Sequence, residues 1–124
     1  LPRLRSDLVA AMLGTVEGSL SHLSLRWDTK SAVTVVMATQ GYPGSYETGS
    51  RISGLDLLAG DRTVIPFHAG TVIEADGTVR ANGGRVLAVT GVGDSVELAR
   101  NAAYAAVDSI DWPEGFCRRD IAAV

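Results

Sequence analysis

The sequence predicts an α+β fold: a mainly antiparallel β-sheet with two flanking helices. Helical periodicity lies towards the two ends, at Ser6–Leu20 and Asp94–Ile110, with about six short strands between. Those strands are joined mostly by tight turns, of which Asp76-Gly77 is the strongest two-residue hairpin signal. Ala32–Thr39 and Arg85–Thr90 are dense in Val, Leu and Met, as central strands buried on both faces are.

Taken in order, Leu8, Met12, Leu13, Val16 and Leu20 form one apolar stripe on the first helix. Ser6 is placed as its N-cap, and Asp7 suits the positive end of the helix dipole. Gly14 and Gly18 each weaken it by roughly 1 kcal/mol relative to Ala, so packing has to hold it. Leu23, Leu25 and Trp27 alternate with polar residues, the period of a half-buried strand, and the turn Asp28–Ser31 would fold it as a hairpin onto Ala32–Thr39. Ile52–Leu58 reads as a short turn or helix. In the strand Thr63–His68, Pro66 marks an edge position. Thr71–Ala75 and Thr78–Ala81 flank Asp76-Gly77, and Asn82-Gly83-Gly84 turns into Arg85–Thr90. In the last helix Asp94 and Glu97 have capping-box spacing, and Val96, Ala99, Ala103, Ala106, Val107 and Ile110 make the buried stripe. Its alanines permit close approach to a sheet. Pro113 ends the helical run. The tail Glu114–Val124 has no period, and Trp112 and Phe116 favour its packing back.

A chain of 124 residues is expected to be one domain with a modest core. Its net charge of −3 gives no electrostatic case for nucleic acid or an anionic membrane surface. No apolar run is long enough to span a bilayer. The first residues, Leu1-Pro2-Arg3, read as the start of a piece cut from a longer chain. The single Cys117 excludes an intramolecular disulfide or a cysteine metal cluster, and a reducing cytoplasm is the default setting.

The stretch Gln40–Ser50 carries the most chemistry. Glycines and Pro43 exclude regular structure there, yet Tyr42, Tyr46 and Glu47 are large amphipathic side chains, the profile of a loop that touches a ligand. A long hairpin connection whose tyrosines cover the edge of the core fits equally. Gly83 and Gly84 free backbone N–H groups just before Arg85, whose guanidinium fork suits a phosphate; a turn followed by a surface arginine is the plainer reading. His68 has no second ligand at metal-site spacing and reads as a hydrogen-bonded strand end, and His22 as exposed and structural. No Ser-His-Asp or Cys-His order suggests a covalent nucleophile. Cys117 beside Arg118 and Arg119 has neighbours that lower a thiol pKa, although a lone tail cysteine is usually inert. Gly91-Val92-Gly93-Asp94 lacks the third glycine of a dinucleotide loop, and its acid would repel a pyrophosphate.

Five motifs occur in order: Leu1-Pro2-Arg3-Leu4-Arg5-Ser6-Asp7-Leu8, Gly41-Tyr42-Pro43-Gly44-Ser45-Tyr46-Glu47, Phe67-His68-Ala69-Gly70-Thr71, Gly83-Gly84-Arg85-Val86-Leu87 and Phe116-Cys117-Arg118-Arg119-Asp120-Ile121. Together they resemble the C-terminal domain of the phosphoribosylamine–glycine ligase (glycinamide ribonucleotide synthetase) family, hybrid-motif ATP-grasp ligases of purine biosynthesis. The resemblance covers essentially the whole chain. It implies that residues 1–124 are a single C-terminal domain, without the ATP-grasp domains on which it packs. The family joins glycine to 5-phosphoribosylamine, spending ATP through a glycyl phosphate. Mg or Mn accompanies ATP in the full-length enzyme, on ligands that fall upstream of the position of Leu1. The resemblance therefore implies no catalytic residue and no metal ligand here, and a fragment inactive alone. It implies that Arg85 holds the ribosyl phosphate. Gly83, Gly84, Tyr42, Pro43, Gly44, Tyr46 and Glu47 would contact the substrate, with His68 at most a wall residue. The rival is a stand-alone small-ligand binding or interaction module that kept the domain and lost catalysis. The upstream coding sequence separates the two, because an ATP-grasp loop and an acidic metal strand belong there.

Overall fold

A computed structural model describes residues 1–123. The elements are helix α1 (Leu8–Val16), a 3-10 turn (Leu20–His22), strands β1 (Ser31–Thr39) and β2 (Arg51–Ile52), and a second 3-10 turn (Leu55–Leu58). Strands β3 (Val64–His68), β4 (Thr71–Ile73), β5 (Val79–Ala81) and β6 (Arg85–Gly93) follow, then helix α2 (Val96–Ser109) and strand β7 (Gly115–Phe116). They form a four-stranded sheet in the order β3-β6-β1-β7 and a three-stranded sheet in the order β2-β5-β4. Every strand pairing is antiparallel, as expected. The two Val-rich strands are central, and the proline strand β3 is an edge.

The core lies between the larger sheet and α2. Val35 opposes Val89 and Met37 opposes Leu87 on the face that meets the helix, where Ala99, Ala103, Ala106, Val107 and Ile110 are buried. Small residues on both sides set the spacing. A Cβ on Gly91 would lie 2.1 Å from the Ala99 carbonyl oxygen and 2.5 Å from the Ala103 nitrogen. The opposite face is covered only in part, Thr90 being buried and Thr34 exposed. Thr34 and Thr90 pair there through their hydroxyls at 2.8 Å, flanked by exposed Val36 and Phe67. Trp112 is buried, and β7 ties the tail to the end of β1, so the tail packs back.

The start of the chain departs from expectation. Leu23–Trp27 is not a strand and makes no hairpin with β1; Trp27 alone forms a bridge, to Leu4. Its alternation failed as a guide because Leu23, Leu25 and Trp27 are all exposed. Helix α1 is shorter than Ser6–Leu20, and its cap is Asp7, whose carboxylate accepts from the Val9 and Ala10 amides at 2.7 and 3.2 Å. The Ser6 hydroxyl instead accepts from the Arg26 amide. The predicted stripe points outward: Met12 is 61% and Val16 86% exposed, while Ala11 and Gly14 are the buried pair. Gly14 sits against Leu23, so the helix leans on its own following turn. At α2 the cap is Ser95, which accepts from the Leu98 amide, rather than Asp94, because β6 runs on to Gly93.

Residues 1–28 close on themselves. The Arg3 guanidinium donates to the Asp28 carbonyl, the Asp28 amide to the Arg3 carbonyl, and Arg5 pairs with the Asp28 carboxylate. The Lys30 amide, and then Arg5, hold the Asp28 carboxyl below its ordinary value of 3.8. A depressed folded-state pKa contributes stability above the unfolded value, lost as pH falls through the folded one. Amide protection in residues 1–28, relative to the intrinsic rate at each pH, should therefore fall below pH 3.8 before that of the β6 amides. Asp28→Asn should show the lower protection already at neutral pH.

Candidate functional site

The ends of β1 and β3 and the starts of β6 and β7 meet at one end of the larger sheet. Ala38 opposes both Arg85 and Phe116, and His68 opposes Leu87. Buried Thr39 locks this corner, donating its amide to Gly84 O at 2.8 Å and its hydroxyl to Gly83 O at 2.7 Å. Gln40–Ser50 form the Gly- and Pro-containing loop. Gly41 turns it at a φ of +94°, where a side chain would also strike the Ser45 carbonyl. The Tyr42–Pro43 peptide is cis. The loop leaves at Gly49, whose amide donates to Ala81 O and whose carbonyl accepts from Arg80 Nη1.

The structure brings several expected residues together. The Tyr42 ring lies on Gly84: a Cβ there would be 2.1 Å from Tyr42 Cδ2, so only glycine admits the ring beside Arg85. Gly70 crosses Gly83 closely enough that a Cβ on Gly70 would lie 2.7 Å from the Arg85 carbonyl. His68 is exposed next to this crossing, its Nδ1 2.9 Å from Thr71 Oγ1. That bond makes it the strand-end histidine of the plainer sequence reading. Arg85 is exposed, and among the described residues no carboxylate pairs with it. Its guanidinium is therefore available to an anion.

Tyr46 and Glu47 fall on a different side of the loop. They line a cleft of about 710 Å³ with Thr39, Gln40, Ser45, Thr48, Ser50, Pro113 and Glu114. The Tyr42 and Tyr46 rings stand 6.2 Å apart and tilted by 58°, so the two parts adjoin through the tyrosines. Charge divides between them. Arg85 and the turn glycines suit a phosphate, whereas the Glu47 carboxylate and the Tyr46 and Thr48 hydroxyls of the cleft suit a hydroxyl or amine. The sequence reading included Gln40 and Ser50 in the loop without giving either a role, and missed their link to Trp112–Glu114. The available signal was Trp112, since a buried indole N–H finds a partner; here Trp112 Nε1 donates to Ser50 Oγ at 2.8 Å.

Two expectations about other residues change or sharpen. Burial raises the Cys117 thiol pKa despite Arg119 nearby, so the basic neighbours do not make it a thiolate. Among the described residues no three His, Cys, Asp or Glu side chains gather as a metal-holding group. Among those residues no helix is long and apolar enough to cross a membrane.

Known proteins match this chain in sequence and in fold. The family described as phosphoribosylglycinamide synthetase, C domain, matches residues 32–124. The phosphoribosylamine–glycine ligase of Mesorhizobium japonicum is 54% identical over 96% of this chain and 28% of its own length. The chloroplastic ligase of Arabidopsis thaliana is 51% identical over 96% of this chain and 23% of its own length. The crystal structure of the Thermotoga maritima ligase superposes with a TM-score of 0.73 at 35% identity, covering 91% of this chain and 27% of that one. The chain thus spans about a quarter of the length of these relatives. By its matched residues and its fold, the chain belongs to the phosphoribosylamine–glycine ligase family of purine biosynthesis and carries that family's C domain.

Proposed function

We propose that this chain is the C-terminal domain of a cytoplasmic ligase that forms glycinamide ribonucleotide from 5-phosphoribosylamine, glycine and ATP. In that reading the domain completes the active site and binds the ribosyl phosphate. The observation that carries it is the exposed Arg85 at the Gly83-Gly84 turn, with no carboxylate partner among the described residues and Tyr42 packed on Gly84. Gly83, Gly84 and Arg85 take the phosphate, while Tyr46 and Glu47 face the sugar and its amine across the loop that Pro43 and Gly44 shape. His68 walls the site and moves no proton. Mg or Mn with ATP belongs to the ATP-grasp domains of the intact enzyme, where it neutralises phosphate charge. Those domains would cover the outward apolar residues Val9, Met12 and Val16 of α1, which this domain's own core leaves exposed.

The isolated chain should then neither bind ATP–Mg tightly nor turn it over. Phosphate release from ATP, measured with glycine and phosphoribosylamine present, should match a protein-free control. Turnover that depends on both substrates would overturn this division of labour.

A further inference from the structure

The loop between Gln40 and Ser50 is held at both ends by one short segment. At its entrance the Gln40 amide donates to Glu114 O at 2.8 Å, and Gln40 Nε2 donates to Pro113 O at 3.1 Å. At its exit Trp112 Nε1 donates to Ser50 Oγ at 2.8 Å. Trp112 is only 5% exposed, and its ring covers Gly115, where a Cβ would lie 2.2 Å from Cε3. The strap is itself anchored. Upstream, Ser53 and Asp111 exchange backbone hydrogen bonds at 2.9 and 3.0 Å. Downstream, the Tyr104 hydroxyl donates to Arg118 O and accepts from the Ile121 amide.

We propose that Trp112–Glu114 is a positioning strap. It fixes the spacing of the loop's two ends, and so the placement of Tyr42 and Tyr46 for phosphoribosylamine. The proposal rests on the binding role given to the loop above. None of the strap residues needs to touch the substrate. A loop rich in glycine is costly to order, and anchoring both ends lowers that cost before the substrate arrives. At the exit the Trp112–Ser50 bond adds to those that Gly49 and Ser50 make with Ala81 and Arg80, and the Gln40 bonds close the entrance, while the body of the loop stays free to meet a ligand.

The test uses the full-length enzyme with Ser50→Ala, Trp112→Phe and the double variant. Ser50→Ala removes the acceptor while keeping every core side chain, so it remains informative if Trp112→Phe folds poorly. Each single variant should raise KM for phosphoribosylamine about two- to tenfold, the loss of one hydrogen bond. The double variant should be no worse than the more affected single one, because both remove the same bond. The KM values for ATP and glycine and kcat should hold. Amide exchange should quicken in residues 41–49 and not in β6. An unchanged KM for phosphoribosylamine in both single variants, where Arg85→Ala raises it, overturns the strap and leaves the binding site standing. Equal losses for all three substrates also overturn it, in favour of a structural role. If Arg85→Ala leaves that KM unchanged as well, the binding role itself fails and the strap's function falls with it.

Discussion

Arg85→Ala in the full-length enzyme should raise KM for phosphoribosylamine by roughly ten- to a hundredfold, the effect of losing a charged hydrogen-bond partner worth about 1.5–3 kcal/mol. ATP and glycine should be affected much less. The expectation rests on where the residue sits. Arg85 begins β6 directly after the Gly83-Gly84 turn, its side chain is exposed, and no carboxylate among the described residues holds it. For the same reason the substitution should leave thermal stability close to wild type, since exposed positions of this kind change it by about 0.5 kcal/mol or less. Arg85→Lys should recover part of the loss, because an ammonium keeps the charge without the planar fork. Steady-state kinetics with each substrate varied in turn, beside a melting curve, separates binding from folding. A defect spread equally over the three substrates, or a lowered melting temperature, would assign Arg85 a structural role.

Gly91→Ala should destabilise the domain by about 1–3 kcal/mol, the usual cost of overpacking a filled core. The added methyl would meet backbone atoms of α2: the Ala99 oxygen at 2.1 Å and the Ala103 nitrogen at 2.5 Å. Backbone cannot swing aside as a flexible side chain can, so α2 must lift from β6 and reopen the Val35, Leu87 and Val89 contacts of the core. Denaturant unfolding should show a lower midpoint with little change in slope. An unchanged midpoint would mean that α2 rides on the sheet more loosely than the close approach at Gly91 requires.

The parts legible in the sequence were those fixed by local rules. The Val-rich runs marked β1 and β6 as central strands, Pro66 marked β3 as an edge, and the alanine stripe marked the face of α2 that meets the sheet. The start of the chain was not legible. Its apolar residues were read as directed to this domain's own core, whereas Met12, Val16 and Trp27 point outward. Periodicity reports which residues share a face, and it says nothing about what that face meets. The caps were misplaced by one residue because neighbouring Ser and Asp are both good caps, and tertiary contacts chose between them. At Ser6 the hydroxyl was taken by the Arg26 amide, leaving Asp7 to cap α1. In the site, Tyr42, Gly84 and Arg85 were recognisable as motif residues and do lie together. Ser50, Trp112 and Glu114 were not, since their hydrogen bonds join segments far apart in sequence and leave no local pattern.

The binding of ribosyl phosphate at this end of the sheet is tested most directly by a crystal structure of the full-length enzyme with glycinamide ribonucleotide. The expected result is a phosphate within hydrogen-bonding distance of the Arg85 guanidinium, about 2.7–3.2 Å, with amides of the Gly83-Gly84 turn directed at it and the Tyr42–Glu47 loop against the ribose. A phosphate held elsewhere, with Arg85 left in solvent or paired to a carboxylate of another domain, would contradict it.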